Sequence, residues 1–146
     1  MNDWFGSALE WLHHVVRQKM VLLMVGGAVG TWLRYMVSKW FNEQEWTRGF
    51  PYGTMFINVT GSFILAVAAL VIYERLPPGH QDWYLLIGTG FCGGYTTFST
   101  FEWETFQLVR DGSYVRAFYN VGGSVLAGFL AILLAVALVN GLFPKR

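Results

Sequence analysis

The chain has 146 residues and a formal net charge of +1, and 54% of its residues are hydrophobic whereas only 13% are charged. A soluble domain carries about twice that share of charge, and a chain this short cannot bury so much apolar surface inside a water-soluble fold. We therefore expect a membrane protein. The balanced charge and the lack of a basic run argue against nucleic acid as a partner, and the single cysteine, Cys92, excludes an internal disulfide.

The N-terminal stretch, residues 1–19, is the first predicted element. Its apolar residues recur at helical spacing, but acidic and histidine side chains interrupt them. A secretory signal peptide needs a continuous apolar core, which this stretch lacks. We predict an amphipathic helix that lies on the membrane surface, followed by a four-helix transmembrane domain over residues 20–146.

Four uncharged stretches follow and predict four transmembrane helices in one domain. They lie at residues 20–33, 49–73, 83–101 and 117–144. A helix needs roughly 20 mostly apolar residues to cross a bilayer. The first stretch reaches that length only if Arg34 lies near a membrane end and the helix continues through Trp40.

The first crossing contains the sequence GGAVGTWLRY at residues 26–35. Gly26 and Gly30 are four residues apart, and small residues at this spacing permit close helix contact. Arg34 follows near the membrane end, and two interpretations of it are open. The arginine either extends to the lipid head groups or forms a positive vestibule that attracts anions.

The second and fourth crossings each carry an amide and a hydroxyl on one helix face. Asn58 and Ser62 are four residues apart, as are Asn120 and Ser124. A buried amide costs free energy unless it finds hydrogen-bond partners. One interhelical hydrogen bond would explain any single member of this set. The whole set of neutral donors favours a polar path, because hydroxyls and amides can solvate an anion by donation alone.

The third crossing contains GFCGGYTTFSTF at residues 90–101. Each glycine costs about 1 kcal/mol relative to alanine in a helix. The glycines therefore indicate either tight packing alone or a helix broken near Gly93 and Gly94, with freed carbonyls that bind a cation and amides that face an anion. The hydroxyl residues that follow, Thr100 among them, favour the broken helix.

Phe98 and Phe101 are three residues apart, so their rings share one face of a helix. An aromatic ring has a positive edge, and a passing anion would be attracted to it without a fixed charge. Ordinary packing of two phenylalanines is the alternative interpretation.

The distribution of positive residues bears on orientation, because lysine and arginine normally collect in cytoplasmic loops. With four crossings, each side of the membrane receives five of them: Arg17, Lys19, Arg75, Lys145 and Arg146 on one side, and Arg34, Lys39, Arg48, Arg110 and Arg116 on the other. Either the chain inserts in both directions and forms an antiparallel dimer, or a few residues decide its orientation.

Three stretches, GGAVGTWLRY, PYGTMFINVTGSF and GFCGGYTTFSTFEWE, resemble the signature stretches of the Fluc (CrcB) fluoride channel family. The resemblance spans about residues 20–143. It implies an all-α integral membrane protein with four transmembrane helices, the third broken mid-membrane, assembled as a dual-topology antiparallel homodimer with two pores. The implied function is a fluoride-selective ion channel, not an enzyme, that exports fluoride from the cytoplasm across the bacterial plasma (inner) membrane as a multi-pass protein. Fluoride, membrane lipid and a second copy are the implied partners.

The resemblance also assigns a fluoride pore by motif. Asn58 matches the pore asparagine, and Phe98 and Phe101 match the paired phenylalanines of the two pores. Ser124 matches a hydroxyl on the fourth helix, and Thr100 belongs near it. Ser62 and Asn120 complete the predicted pore. Asn120 stands where some members have a tyrosine, with Tyr119 adjacent, so the track along the fourth helix stays open.

A cation site and a vestibule are implied in the same way. Gly93 and Thr96 match the break whose carbonyls hold a central sodium ion, structural or activating, at the dimer interface. Arg34 matches the arginine that ends the first helix and would form the vestibule. The roles of Glu102 and Glu104 stay open.

Three other classes of function compete with the channel. A proton-coupled small multidrug exporter also has four helices, but it needs a membrane-buried acid, and the four stretches contain none. A membrane enzyme would need a nucleophile with a base, metal-ligand spacing or a phosphate loop with a lysine, which the sequence lacks. A purely structural subunit would leave the buried polar set unexplained.

Overall fold

The computed structural model describes residues 3–143, with side chains from Val16 onward except that of Arg17, and every regular element in that range is helical. Helix α1 spans Asp3–Glu43, and a short 3-10 turn, Glu45–Thr47, connects it to α2, Tyr52–Glu74. Helix α3 consists of three consecutive stretches, Asp82–Tyr84, Leu85–Cys92 and Gly93–Tyr95. Helix α4 spans Phe98–Arg110 and α5 spans Tyr114–Leu142.

Helix α1 is continuous, so the backbone of the predicted surface segment runs directly into the first crossing. The apolar face predicted for residues 1–19 depends mainly on side chains outside the described residues. The amphipathic surface helix and the domain boundary at residue 19 therefore stay predictions.

Three helices in the described part of the chain are long and apolar enough to cross a membrane. They are Gln18–Glu43, Tyr52–Glu74 and Tyr114–Leu142, with mean hydropathies of 1.5, 2.3 and 2.5. Three of the four predicted crossings are thereby confirmed as long apolar helices, and the first does continue beyond Arg34. The remaining predicted crossing, residues 83–101, comprises most of α3 and the start of α4.

Helices α1 and α3 approach each other through glycines. A Cβ atom on Gly26 or Gly30 would collide with backbone carbonyl oxygens of α3, and one on Gly94 would collide with the backbone of Gly27. Only hydrogen fits at these positions, and the missing side chains let the two backbones touch. The close contact predicted from Gly26 and Gly30 is confirmed.

Helix α5 buries one stripe of small and polar residues and exposes large apolar side chains elsewhere. Asn120, Ser124 and Gly128, each four residues from the next, belong to the buried stripe, while Phe118 and Phe129 are more than half exposed. A large apolar surface of this kind marks contact with lipid or with another protein, as expected for a membrane helix.

Candidate functional site

Helical conformation stops at Tyr95 and resumes at Phe98. The two residues between them are extended: Thr96 has φ −79° and ψ 161°, and Thr97 has φ −150° and ψ 121°. Gly93 and Gly94 are themselves helical, so the interruption begins two residues after the glycine pair near which the sequence predicts it. The preceding stretch, Leu85–Cys92, forms wide π-helical turns, a conformation that often occurs at functional sites.

Asn58 of α2 holds Thr97 through both ends of its side-chain amide. The Nδ2 atom donates to the Thr97 carbonyl oxygen at 3.0 Å, and the Oδ1 atom accepts from the Thr97 N–H at 2.9 Å. In an uninterrupted helix that N–H would donate to the carbonyl of Gly93, four residues earlier. Asn58 therefore replaces a helical hydrogen bond and leaves the Gly93 carbonyl without its helical donor.

Thr96 is held by its own helix and by α1. Its N–H and its hydroxyl both donate to the Cys92 carbonyl oxygen, each at 2.9 Å, and its carbonyl accepts from Arg34 Nη1 at 3.2 Å. The N–H and C=O groups of Thr96 and Thr97 are thus all bonded within the chain. Non-helical backbone requires such satisfaction wherever water is excluded.

Helix α4 starts at Phe98 because Thr97 caps it. The Thr97 Oγ1 atom accepts from the Thr100 N–H at 3.3 Å, a bond typical of a threonine before the first helical residue. The same hydroxyl donates to Thr100 Oγ1 at 3.0 Å. The Thr100 hydroxyl, a predicted pore donor, therefore lies directly against the interruption.

A cleft of about 510 Å3 opens beside the interruption. Its lining contains five of the predicted site residues: Asn58, Ser62, Gly93, Thr96 and Phe98. Ser62 donates its hydroxyl proton to the carbonyl of Asn58 at 2.7 Å, and the ring of Phe98 is 75% exposed. The fold thus brings together the polar face predicted on α2, both predicted cation ligands and one phenylalanine.

The other predicted pore residues lie outside this lining. Asn120 is fully buried and donates through Nδ2 to Thr105 Oγ1 at 2.8 Å. Its Oδ1 atom and the Ser124 hydroxyl are buried without a hydrogen-bond partner in the described part of the chain. Phe101 is buried, and its ring centroid lies 6.1 Å from that of Phe98. Unpaired buried polar atoms of this kind indicate a place for water or an ion.

Sequence reasoning missed the environment of Glu104 and the role of Thr105. Glu104 is half-buried, and it lines a small polar cavity of about 170 Å3 together with Thr54 and Thr100. Its Oε2 atom is buried without a hydrogen-bond partner among the described residues. The signal was present in the spacing, because Glu104 follows Phe101 by three residues and so shares its helix face.

The sequence profile of the family described as "CrcB-like protein, Camphor Resistance (CrcB)" matches residues 21–136, a range that contains every predicted site residue. The chain belongs to the CrcB family. Curated relatives cover most of it: the "Fluoride-specific ion channel FluC" of Solibacter usitatus is 43% identical over 114 residues, which is 78% of this chain and 92% of that protein. The FluC protein of Acidobacterium capsulatum is 42% identical over 126 residues, 84% of this chain and 96% of the relative. That of Pyrococcus abyssi is 40% identical over 123 residues, 82% and 94% of the two chains.

Membership of the CrcB family confirms the resemblance carried by the three stretches quoted from the sequence. The profile begins in the first half of α1 and ends within α5, so it contains both residues that bond the interruption from other helices, Arg34 and Asn58. The interrupted helix and the cleft beside it therefore lie within the region that matches the CrcB family profile.

Proposed function

We propose that this CrcB protein is a fluoride-selective ion channel that exports fluoride from the cytoplasm and so lowers its intracellular concentration. The observation that carries the proposal is the similarity of this chain to proteins named fluoride-specific ion channels, over nearly the full length of each relative. Conduction of an ion requires no chemical reaction, and we assign no enzymatic activity to the chain.

Fluoride is small and strongly hydrated, so a selective pore must replace its water with donors while still letting it leave. The hydrogen bonds that the predicted pore residues already make leave only some of them with protons to offer. An amide carries two N–H donors, and Asn58 and Asn120 each use one of them on a protein oxygen. Among the described residues, Thr100 Oγ1 accepts from Thr97 and its own proton has no acceptor, and the Ser124 hydroxyl is unpaired. Ser62 donates to a backbone carbonyl and has no proton left.

The free donors therefore belong to Asn58, Thr100, Asn120 and Ser124, and the exposed ring of Phe98 adds a positive edge. These groups are neutral. A neutral lining binds fluoride by donation without the strong field of a lysine, which would slow its exit. Arg34, whose guanidinium bonds the Thr96 carbonyl, would add positive charge to a vestibule that reaches inward as far as the interruption.

A dual-topology antiparallel homodimer, with the interruption at the middle of the membrane, is part of the proposal. The balanced count of positive residues supports insertion in both directions. A Cβ atom on Gly93 would meet nothing within 4 Å, and Phe98 is 75% exposed, so the face of the interruption is open to a second copy. Gly30, at the centre of the span Gln18–Glu43, lies against Tyr95, which supports a mid-membrane position.

Residues 82–110, which comprise α3 and α4, would provide the fourth crossing of this multi-pass protein. The expected location is the bacterial plasma (inner) membrane, where a passive exit for fluoride would act directly on the cytoplasm. Lipid is the natural partner of the exposed apolar faces of α1 and α5.

A sodium ion at the interruption fits the residues present. Unwound carbonyls and the C-terminal ends of half-helices are the groups that hold sodium in membrane proteins. The carbonyl of Gly93 has lost its helical donor to Asn58, and the carbonyl of Thr96 accepts one bond, from Arg34, with a second lone pair remaining. Gly93 and Thr96 would hold the ion, and when bound it would supply positive charge between two copies.

The proposal is tested with purified protein in liposomes loaded with potassium fluoride. An external fluoride electrode follows release after a potassium ionophore is added, and chloride-loaded liposomes serve as the control. We expect rapid fluoride release that depends on the ionophore and no release of chloride. Liposomes that retain their fluoride, or that lose chloride equally fast, would refute the proposed function.

A further inference from the structure

We infer that Arg34 is a positioning residue: its hydrogen bond to the Thr96 carbonyl fixes α1 to the helix interruption and, together with the clamp from Asn58, keeps the extended pair of threonines in place. The inference deepens the proposed function and rests on it for the flux readout below. It concerns the element that presents Phe98 to the cleft and carries the proposed cation ligands.

The interruption removes backbone hydrogen bonds that a continuous helix would make. In a continuous helix the Thr96 carbonyl would accept from the N–H of Thr100, four residues later. That N–H donates instead to the Thr97 hydroxyl. The Thr96 carbonyl therefore needs another donor, and the one the structure supplies is Arg34 Nη1 at 3.2 Å.

The two clamps are complementary. From α2, Asn58 replaces the helical acceptor of the Thr97 N–H and adds a donor to the Thr97 carbonyl, and from α1, Arg34 replaces the helical donor of the Thr96 carbonyl. The helices that make the clamps are both membrane-spanning candidates, so the position of the interruption is tied to two spans at once. A hydrogen bond from a charged donor is stronger than one between neutral groups, and a carbonyl deprived of it in apolar surroundings is costly.

Both sequence-based interpretations of Arg34 leave this contact out. A side chain that extends to the head groups has its charged end in water, whereas the Arg34 guanidinium turns inward to a backbone oxygen and the residue is half-buried. A vestibule charge acts through its field and needs no specific partner. Because the contact uses one nitrogen, the guanidinium can hold the carbonyl and still contribute positive charge.

The chain contains its own reporter for the interruption. Cys92 is the single cysteine of the chain and is only 3% exposed. Its carbonyl oxygen accepts from both the N–H and the hydroxyl of Thr96. The rate at which N-ethylmaleimide labels its thiol measures how often this end of α3 opens. This readout requires no fluoride, so it decides the role of Arg34 even if the protein proves impermeable to fluoride.

The first variant is Arg34→Met, which removes the donor and the charge but keeps an unbranched apolar stem. The matched control is Arg48→Met, because Arg48 is an exposed arginine whose ion pair with Glu45 is exposed as well. We expect Cys92 to be labelled on the order of tenfold faster in Arg34→Met than in the wild type, and at the wild-type rate in Arg48→Met. Equal labelling of Arg34→Met and the wild type would overturn the inference.

Flux at two ionic strengths separates positioning from the effect of charge. Surface fields are screened over about 10 Å at 0.1 M salt and about 3 Å at 1 M. We expect Arg34→Met to pass fluoride on the order of tenfold more slowly than the wild type at both concentrations of an inert potassium salt. Recovery of the wild-type rate at 1 M salt would show that Arg34 acts only through its field and would overturn the inference.

Arg34→Lys and Arg34→Gln keep the test decisive if the methionine variant cannot be purified. A lysine ammonium can replace a contact made by one nitrogen, although it cannot reproduce a bidentate one, so we expect near wild-type labelling and flux for Arg34→Lys. Glutamine is too short to span the same gap, and Arg34→Gln should label as fast as Arg34→Met. Wild-type labelling of Arg34→Gln, or labelling of Arg34→Lys as fast as that of Arg34→Gln, would overturn the inference.

Discussion

Replacing Asn58 with aspartate is the sharpest perturbation of the proposed pore, because it changes one group and hardly alters the size of the side chain. The Oδ1 atom accepts from the Thr97 N–H at 2.9 Å in the wild type, and an aspartate keeps this bond. The Nδ2 donor becomes a carboxylate oxygen, and the 3.0 Å contact with the Thr97 carbonyl changes from a hydrogen bond into an approach of two oxygens. The remaining N–H that would donate to fluoride is lost as well.

The magnitude follows from the two losses. The Thr97 carbonyl keeps its first helical bond in α4, and replacing its second bond by an approach of two oxygens costs about 1–3 kcal/mol. A unit charge about 4 Å from fluoride repels it by about 4 kcal/mol at an effective dielectric constant of about 20. Asn58 is half-buried and borders an open cleft, so solvent screens part of this repulsion. A total of about 3 kcal/mol in the barrier lowers the rate on the order of 100-fold.

The assay is fluoride efflux from liposomes that contain equal amounts of Asn58→Asp and wild-type protein. Asn140→Asp is the matched control, because it makes the same chemical change at an exposed position and keeps the oxygen that accepts from Arg75 Nη2, so it should leave the rate unchanged. Both variants should elute from a sizing column like the wild type, which shows that they are assembled. Efflux through Asn58→Asp within about threefold of the wild-type rate would refute the role we give to the Asn58 amide.

Three further substitutions test the packing, the dimer and the second polar group. Gly30→Ala places a methyl group against the backbone of α3 and should destabilise the fold by about 1–3 kcal/mol, which a lower melting temperature would show. The control is Gly27→Ala, whose methyl group meets its nearest neighbour at 3.9 Å and should leave the melting temperature unchanged. Equal melting temperatures of the two variants would contradict the glycine contact. Gly93→Ala should leave the single chain folded but lower the dimer fraction measured by light scattering in detergent, and an unchanged dimer would place the interface elsewhere. Thr105→Val removes the acceptor of the buried Asn120 amide and should cost about 1–3 kcal/mol; an unaltered melting temperature would show that the bond contributes nothing.

Local features of the sequence predicted the long helices well. Hydropathy and helical period depend only on neighbouring residues, so the uncharged stretches marked three spans, and the spacing of Gly26 and Gly30 marked the surface of α1 that meets α3. The interruption was placed less accurately. Glycine propensity directed the prediction to Gly93 and Gly94, but the helix ends where Thr97 can cap the next one. Thr97 is of a residue type that caps helix N-termini, and it marks the boundary better than the glycines do.

The hydrogen-bond partners of the site could not have been predicted from spacing. Arg34 and Thr96 are 62 positions apart, and Asn58 and Thr97 are 39 apart, so their contacts exist only once α1 and α2 have packed against the interrupted helix. For the same reason the sequence suggested Ser62 as a pore donor, whereas the fold commits its proton to a backbone carbonyl. Its role in the pore therefore stays a prediction, limited to what its oxygen can accept.

The most direct test of the account is the reversal potential of current through the purified protein in a planar bilayer, with a tenfold fluoride gradient and equal chloride on both sides. Uncoupled, fluoride-selective conduction predicts reversal at about 59 mV, the equilibrium potential for a singly charged ion at that gradient, and no change when a pH difference is imposed. A reversal potential shifted well below 59 mV towards zero would mean that chloride is conducted as well, and a reversal potential that moves with pH would mean that fluoride transport is coupled to protons.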